Sequence, residues 1–528
     1  MMIYSHDARN SLKQGMCVLS KAVGLTLGPK GKNVILGRKL GVPHVVNDGV
    51  TIAKEIEIQN QLENIGVVLM RQAALKTNDV VGDGTTTSTV LAHAIIQEGL
   101  KSISAGANPI LIKKGIEKSV QFIVKKIVQR SRPIVDIKDI VRVASVSAGN
   151  NKVIGNIIAS AILKVGNEGV ISIEEGESTI TSLQVTEGMS FDKGYFSSSF
   201  LSNSTQLEIY QDNPWILLTD QTITNVEEEL IPLLEQVAGT NRPLLIMAEE
   251  IKQEALSTLI INRLKGIVDV VAVRIPGLGD RRKSVLEDLA VLTNTSVISK
   301  DVGLNLDRIS TNKLGSAERI IISKNRTTIM ASRNNQNISL HCTNLRKQIE
   351  FSSNVYEKKF LRERLAKFSG GIAVIKVGAA TITEMYEQKL RIEDAVSATK
   401  AAIEEGIVPG GGSTLAHLSK DLYLWASNCL AGDELLGAYI LVKALSVPLR
   451  TIVENTGHNG SLVLEKLRMS SFEVGYDANF DTMVNMYLAG IVDPAKVTRL
   501  SLQNASSIAS VILTTECIVS DRLVHINL

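Results

Sequence analysis

The helical periodicity of this chain breaks off in its middle, and that break limits what it can fold into. Residues 7–130 place apolar side chains at three- and four-residue steps, as in Thr85–Gln97 and Pro109–Gln129, with Asn108-Pro109 as a helix start signal. From about residue 384 the pattern is helical again, punctuated by Gly-rich turns. Between them, Pro243-Leu-Leu-Ile-Met-Ala and Ile267-Val-Asp-Val-Val-Ala-Val-Arg read as buried strands separated by helical segments. Gly370-Gly371 opens a further strand, Ile372–Val377. The expected class is therefore multi-domain and mainly α, with a central α/β block carried between two helical ends.

Size and composition agree. At 528 residues the chain is too long for one ordinary domain, and roughly three are expected. A hydrophobic content of 44% against 21% charged supports large cores, and with only 4% aromatics aliphatic side chains must fill them. No short fixed repeat or low-complexity tail is found.

Several function classes lose support. The net charge is +3, the basic residues are dispersed, and the densest cluster, Arg281-Arg282-Lys283, reads as solvated surface. Nothing demands nucleic acid or an anionic membrane. Cys17, Cys342, Cys429 and Cys517 have no zinc-like spacing and read as thiols in a reducing compartment. The N-terminus lacks secretory and transit patterns, so the chain is expected to be made in its own compartment or to have lost its targeting segment. No apolar run reads as long enough to span a bilayer, and a soluble chain is expected.

The segment with most chemistry is Gly82-Asp-Gly-Thr-Thr-Thr87. The glycines permit backbone angles other residues avoid, and the threonines open an apolar-periodic helix. Such a turn presents free N–H groups and hydroxyls at the positive end of a helix dipole, where an anion is stabilised. Asp83 could hold Mg²⁺ beside phosphates. The same string also fits a plain turn with Thr as helix N-cap, and both readings stay open. Gly28-Pro29-Lys30-Gly31 and Gly410-Gly411-Gly412 are each, alone, connectors. No Walker pattern is present, and Ala373-Val-Ile-Lys376 resembles a kinase strand without the motifs that should follow it.

Two central helices are unusually apolar. In Gln253–Gly266, Ala255, Leu256, Leu259, Ile260, Ile261 and Leu264 span an arc of roughly 200°, about twice what a surface helix buries. Val226–Val237 is similar, through Leu230, Ile231, Leu233, Leu234 and Val237. Such an excess is either core on two sides or a binding patch.

Taken together, the chain resembles the group I chaperonins, the GroEL family, in collinear order over essentially its whole length. The strings that carry this are Thr26-Leu-Gly-Pro-Lys-Gly31, Asp48-Gly49, Gly82-Asp-Gly-Thr-Thr-Thr87, Pro276-Gly-Leu-Gly-Asp-Arg-Arg282, Gly378-Ala-Ala-Thr381, Glu404-Glu-Gly406, Gly410-Gly-Gly412 and Asp493-Pro494. The resemblance implies an equatorial ATP-binding domain (1–130 and 405–528), an intermediate hinge domain (131–186 and 373–404) and an apical domain (187–372) that binds clients and a lid co-chaperonin. It implies an ATPase that folds unfolded polypeptides in an enclosed cavity, with subunits in two stacked seven-membered rings.

Residue roles follow from the same resemblance. Thr26, Leu27, Gly28 and Pro29 would wrap ATP, Gly84, Thr85, Thr86 and Thr87 would hold its phosphates, and Asp83 would ligate Mg²⁺. Ser147 and Gly411 would line the base and ribose, with Asp493 on the ribose hydroxyls and Asp477 near the adenine. Asp394 would position or activate the attacking water, with Asp48 close by as a second catalytic carboxylate. From the residues alone, Asp394 reads as an acidic residue in the first turn of a helix. Thr26, Asn47 and Thr86 would supply K⁺ ligands, at Asn47 through the backbone carbonyl. Tyr195, Phe200, Ile231, Leu234, Leu256, Ile260 and Ile261 would form the client groove.

The chain departs from the family at several points. Asn47 replaces a Lys, and Asn47-Asp-Gly with Ala107-Asn-Pro109 is similar to the cyanobacterial and plastid branch. Asp477 and Asn479 replace an Asn and an Ala, and Ser199 replaces an aromatic. The sequence carries no Gly/Met-rich C-terminal tail, and folding and ATP binding are expected to be intact without it. A plastid stroma is the expected location, with a bacterial cytoplasm as the alternative.

Overall fold

The computed structural model describes all residues except 1, 38–43, 167–168, 177, 187, 202–207, 278, 300–305, 307–308, 332–335, 352–356, 358–359, 362–363, 366–371 and 520–528. Gly370-Gly371, Leu278 of the Pro276–Arg282 string and the C-terminal segment 521–528 therefore lie outside the described residues. The chain forms two compact units: Met1–Ser160 with Ile173–Ser182 and Lys376–Leu528, and Ala161–Ser172 with Leu183–Ile375.

The first unit is helical and draws on both chain ends. Helices Ser5–Gly24, Gln61–Val81, Thr85–Ser104 and Pro109–Arg130 come from one end, and Gly432–Ala444 and Ala495–Leu513 from the other. Asn108 caps Pro109–Arg130: its Oδ1 accepts from Ile110 N at 2.9 Å, and Pro109 takes the first turn, where no N–H is needed. These helices bury one aliphatic core, with Leu12, Met16, Met70, Leu91, Ile116, Leu441 and Leu502 at 0 or 1% exposure. Each such side chain contributes about 1.5–3 kcal/mol. No aromatic ring is among the buried members of that core, as the composition requires.

Periodicity missed a short hairpin, Val34–Leu36 against His44–Val46, because three-residue strands carry no usable period. Membrane-scale apolarity also needs correction. Gly432–Asn455 is long and apolar enough to cross a membrane by length and composition. It is broken by a turn at Leu445-Ser446, and Leu441, Ala444, Leu445 and Leu449 are fully buried in the protein, which marks a core helix pair.

The second unit is α/β. A four-stranded sheet runs Val270–Arg274, Leu244–Ala248, Trp215–Leu218, Gly315–Ser316; the first three strands are parallel and the last antiparallel. The two strands expected from apolar runs pair with each other in it, Val270–Arg274 at the edge and Leu244–Ala248 inside, and Leu244–Ala248 is buried throughout, as a sheet covered on both faces demands. A second, antiparallel sheet of Gly188–Phe191, Thr327–Met330, Arg319–Ile322 and Ile209–Asp212 was not legible, since each strand has four residues. The segment read as one helix over Val226–Val237 is two, Val226–Glu229 and Ile231–Ala238, with Pro232 in the first turn of the second.

Candidate functional site

The site lies in the helical unit, around the turn between two helices. Helix Gln61–Val81 ends at Gly82, with φ 72°, and helix Thr85–Ser104 begins at Gly84, with φ 79°. Both angles are left-handed, where a side chain is strained. Space forbids one as well: a Cβ on Gly84 would lie 2.5 Å from Ser501 Oγ and from a Val497 methyl. Gly84 has no side chain to cap the helix, so the N–H groups at its start are not satisfied by a cap. The N-cap alternative for this string is thereby excluded: no threonine hydroxyl caps the helix.

A cavity of about 380 Å³ opens on this turn. Two further helices begin on its wall without side-chain caps: Ser413–Cys429, entered through Gly412, and Ala495–Leu513, entered through Pro494. Three helix starts thus direct partial positive charge at one cavity. The loop of Thr26, Leu27, Gly28 and Pro29 forms another wall, held by Asn455 Nδ2, which donates to Gly24 O at 3.0 Å and Leu27 O at 2.8 Å.

Carboxylates oppose these positive ends. Asp48 caps the short helix Gly49–Glu55, accepting from Thr51 N at 2.9 Å and Thr51 Oγ1 at 2.8 Å. Asp83 is half-buried; desolvation raises its pKa, the Gly84 N–H and the Ser147 hydroxyl offset part of the rise, and Asp48 adds to it. Asp394 lies mid-way along helix Ile382–Glu405, not in a first turn, because the helix begins twelve residues earlier at Thr381-Ile382. Burial first, then Asp83, Asp48 and Glu393, push its pKa well above the usual range. Burial and Asp83 raise Asp493 to about 7, against the Gly411 and Gly412 N–H groups that donate to it. So many half-buried carboxylates in one place favour protonation or a matching cation.

The donor set fits cations. Among the described residues no group of three or more His, Cys, Asp or Glu side chains could hold a metal alone. One carboxylate beside an anion site is instead what Mg²⁺ uses together with phosphate oxygens. Asn47 Oδ1 is buried without a hydrogen-bond partner on the cavity wall, a neutral oxygen suited to a monovalent cation. Thr26 and Thr86 line the same cavity, although the Thr26 hydroxyl already donates to Val23 O at 2.8 Å.

All expected nucleotide-site residues meet here: Thr26 to Pro29, Asn47, Asp48, Asp83 to Thr87, Ser147, Asp394, Gly411, Asp477 and Asp493 line the one cavity. Two of them make side-chain contacts within the wall. Ser147 Oγ donates to Asp83 Oδ2 at 3.1 Å. Asp477 turns its carboxylate onto Asn479 N at 2.9 Å, closing a local turn. Sequence reasoning missed Arg391 and Ser501, which also line the cavity; Ser501 Oγ donates to Gly84 O at 3.0 Å. A lone serine on a helix more than 400 positions away gives no signal of this kind.

The expected apolar groove in the α/β unit divides. Helix Gln253–Leu264 buries Ala255 and Leu259, half-buries Leu256 and Ile260, and exposes Ile261 and Leu264, at 49% and 66%. Ile231 is 38% exposed on its own helix, and Tyr195 is half-buried. Phe200 and Leu234 are corrections. They are 0% and 6% exposed within the central core, so neither can meet a partner.

A helical unit assembled from both chain ends, with an α/β unit carried between them, is the architecture of a chaperonin subunit. The chain belongs to the TCP-1/cpn60 chaperonin family, which it matches over residues 19–522. It is 57% identical over 522 residues to the chloroplastic chaperonin GroEL of Gracilaria tenuistipitata var. liui, covering 99% of both chains. It is also 57% identical over 521 residues to that of Cyanidium caldarium, covering 99% of this chain and 98% of the relative. Among solved structures, the chaperonin gp146 from the bacteriophage EL 2 (Pseudomonas aeruginosa), crystallised in the presence of ATP-BeFx, shares the fold: TM-score 0.69 at 19% identity, over 99% of each chain. The chain is thus a plastid-type group I chaperonin, which assists protein folding by acting on client proteins within an oligomer.

Proposed function

We propose that this subunit binds Mg-ATP in the cavity at Gly82–Thr87 and hydrolyses it to drive a folding cycle. The observation that carries this reading is the meeting of three uncapped helix starts with half-buried carboxylates at one cavity of nucleotide size. Gly84 to Thr87 hold the phosphates through backbone N–H groups, and Thr26 to Pro29 wrap the nucleotide. Asp493 holds the ribose hydroxyls, with Gly411 beside it and Asp477 at the adenine end.

Asp83 would hold Mg²⁺, which when bound neutralises phosphate charge; Thr26, Thr86 and Asn47 would hold K⁺, at Asn47 through the free Oδ1 as well as the backbone. Asp394 positions the attacking water and accepts its proton at a carboxylate oxygen. Burial has moved that carboxyl toward the pKa range in which a general base works, and Asp48 stands close enough to reinforce the shift.

The same proposal keeps the three-part division, with 131–186 and 373–404 as hinge between the ATP domain (1–130, 405–528) and the client domain (187–372). Unfolded chains are captured by Ile231, Leu256, Ile260 and Ile261, now joined by Leu264 and with Tyr195 at the margin. Non-directional apolar contact asks no sequence of the client. Two stacked seven-membered rings and a lid co-chaperonin complete the assembly. The test is ATP turnover and particle size on purified protein, with Asp394→Ala beside it. A large particle with Asp394-dependent turnover is expected; a small monomer without turnover contradicts the reading.

A further inference from the structure

The helical unit holds a second cavity, of about 150 Å³, which shares no lining residue with the first. Three helices build it. Arg130 ends Pro109–Arg130, Arg468 ends Gly460–Arg468, and His417, Lys420 and Asp421 lie three and four residues apart on one face of Ser413–Cys429. Phe472 also lines it, with the Arg130 guanidinium 4.5 Å over its ring and the His417 ring 5.7 Å away.

The charges do not cancel. Asp421 is the one carboxylate on the wall, and Arg130 Nη2 already holds it at 3.1 Å. Arg468 pairs with Glu465, which is outside the cavity, and keeps its other donors. Positive residues at helix C-termini complement the helix dipole, which accounts for Arg130 and Arg468 but not for mid-helix Lys420. His417 adds a conditional charge. Its Nε2 donates to Val474 O at 2.8 Å, so Nδ1 is the nitrogen that titrates. Burial lowers its pKa and Arg130 adds to this, against the Val474 carbonyl and Asp421.

We propose that this cavity is a site for a small tetrahedral oxyanion of the phosphate and sulfate class, gripped by Arg130, Lys420 and Arg468 and, when protonated, by His417. Its volume is less than half that of the nucleotide cavity, which excludes a nucleotide. The Arg130 guanidinium, seated over the Phe472 ring and held by Asp421, keeps its remaining donors in a planar fork suited to such an ion.

The test is calorimetric titration of the assembled protein with sulfate, which does not titrate near neutrality, at constant ionic strength, with and without Mg-ADP. Saturable binding of one ion per subunit is expected in both conditions. It should weaken by up to about tenfold per pH unit as His417 loses its proton. Lys420→Gln and Arg468→Gln should each weaken it by about fivefold or more. His417→Gln should retain binding and abolish the pH dependence. Heat linear in sulfate concentration, or binding unchanged in both the Lys420 and Arg468 variants, overturns the proposal. So does binding that disappears when Mg-ADP is present.

Discussion

The nucleotide cavity and the exposed helix of the α/β unit solve recognition in opposite ways. The cavity depends on position: left-handed glycines, uncapped helix starts and half-buried carboxylates, each of which should tolerate little change. The helix Gln253–Leu264 depends on quantity, as an apolar arc whose outer half stays in solvent. Single substitutions should therefore be severe in the first region and graded in the second. They should also separate cleanly, since each region sits in its own compact unit.

Asp394→Asn offers the largest effect. It keeps size and hydrogen bonding but removes the proton acceptor, so turnover should fall by about 10²–10⁴-fold while nucleotide still binds, as read by single-turnover hydrolysis and by titration. Phe200→Ala comes next and sharpens the contrast within the α/β unit. As a fully buried ring it should cost about 3–5 kcal/mol in thermal or denaturant unfolding, a stability loss rather than a selective loss of capture.

Asp493 yields a pH signature. Its folded pKa of about 7 lies above the ordinary value of 3.8, so the nucleotide-free protein is favoured where the carboxyl is protonated. That advantage is fully present below about pH 4 and is lost as pH rises through 7. Asp493→Asn should therefore stabilise the nucleotide-free protein above pH 7 by up to about 4 kcal/mol and flatten its pH dependence, measured by thermal unfolding at several pH values. A variant less stable than wild type at pH 8 would remove the electrostatic account of the cavity. The smallest effect is expected for Ile261→Ser, which should weaken client capture by about 1–2 kcal/mol and leave unfolding unchanged. Ile260 is a poorer probe, because it packs against the core and its loss mixes stability with capture.

Legibility followed the range over which each feature is encoded. The Gly82–Thr87 turn is local and legible as a turn opening a helix, but the residues alone leave an anion site and a Thr cap open. Leu244–Ala248 was legible because both its faces are buried. The four-residue antiparallel strands were not, since so short a run has no distinct period. Asp394 lies more than 300 positions from Asp83, and only the collinear resemblance joined them; the same gap hid Ser501. The apolar arc is set by the spacing of its residues, but which half it buries is set by neighbours that periodicity does not see. Leu234 and Phe200 are placed in the groove by the resemblance alone, and the structure packs both into the core.

The central claim is that turnover and capture are separate devices in one chain. It is tested most directly by measuring ATP turnover and capture of a denatured protein side by side in Asp394→Ala and Ile261→Glu. Asp394→Ala should lose turnover and keep capture, while Ile261→Glu should keep turnover and lose most of its capture. Full turnover in Asp394→Ala, or undiminished capture in Ile261→Glu, would contradict it.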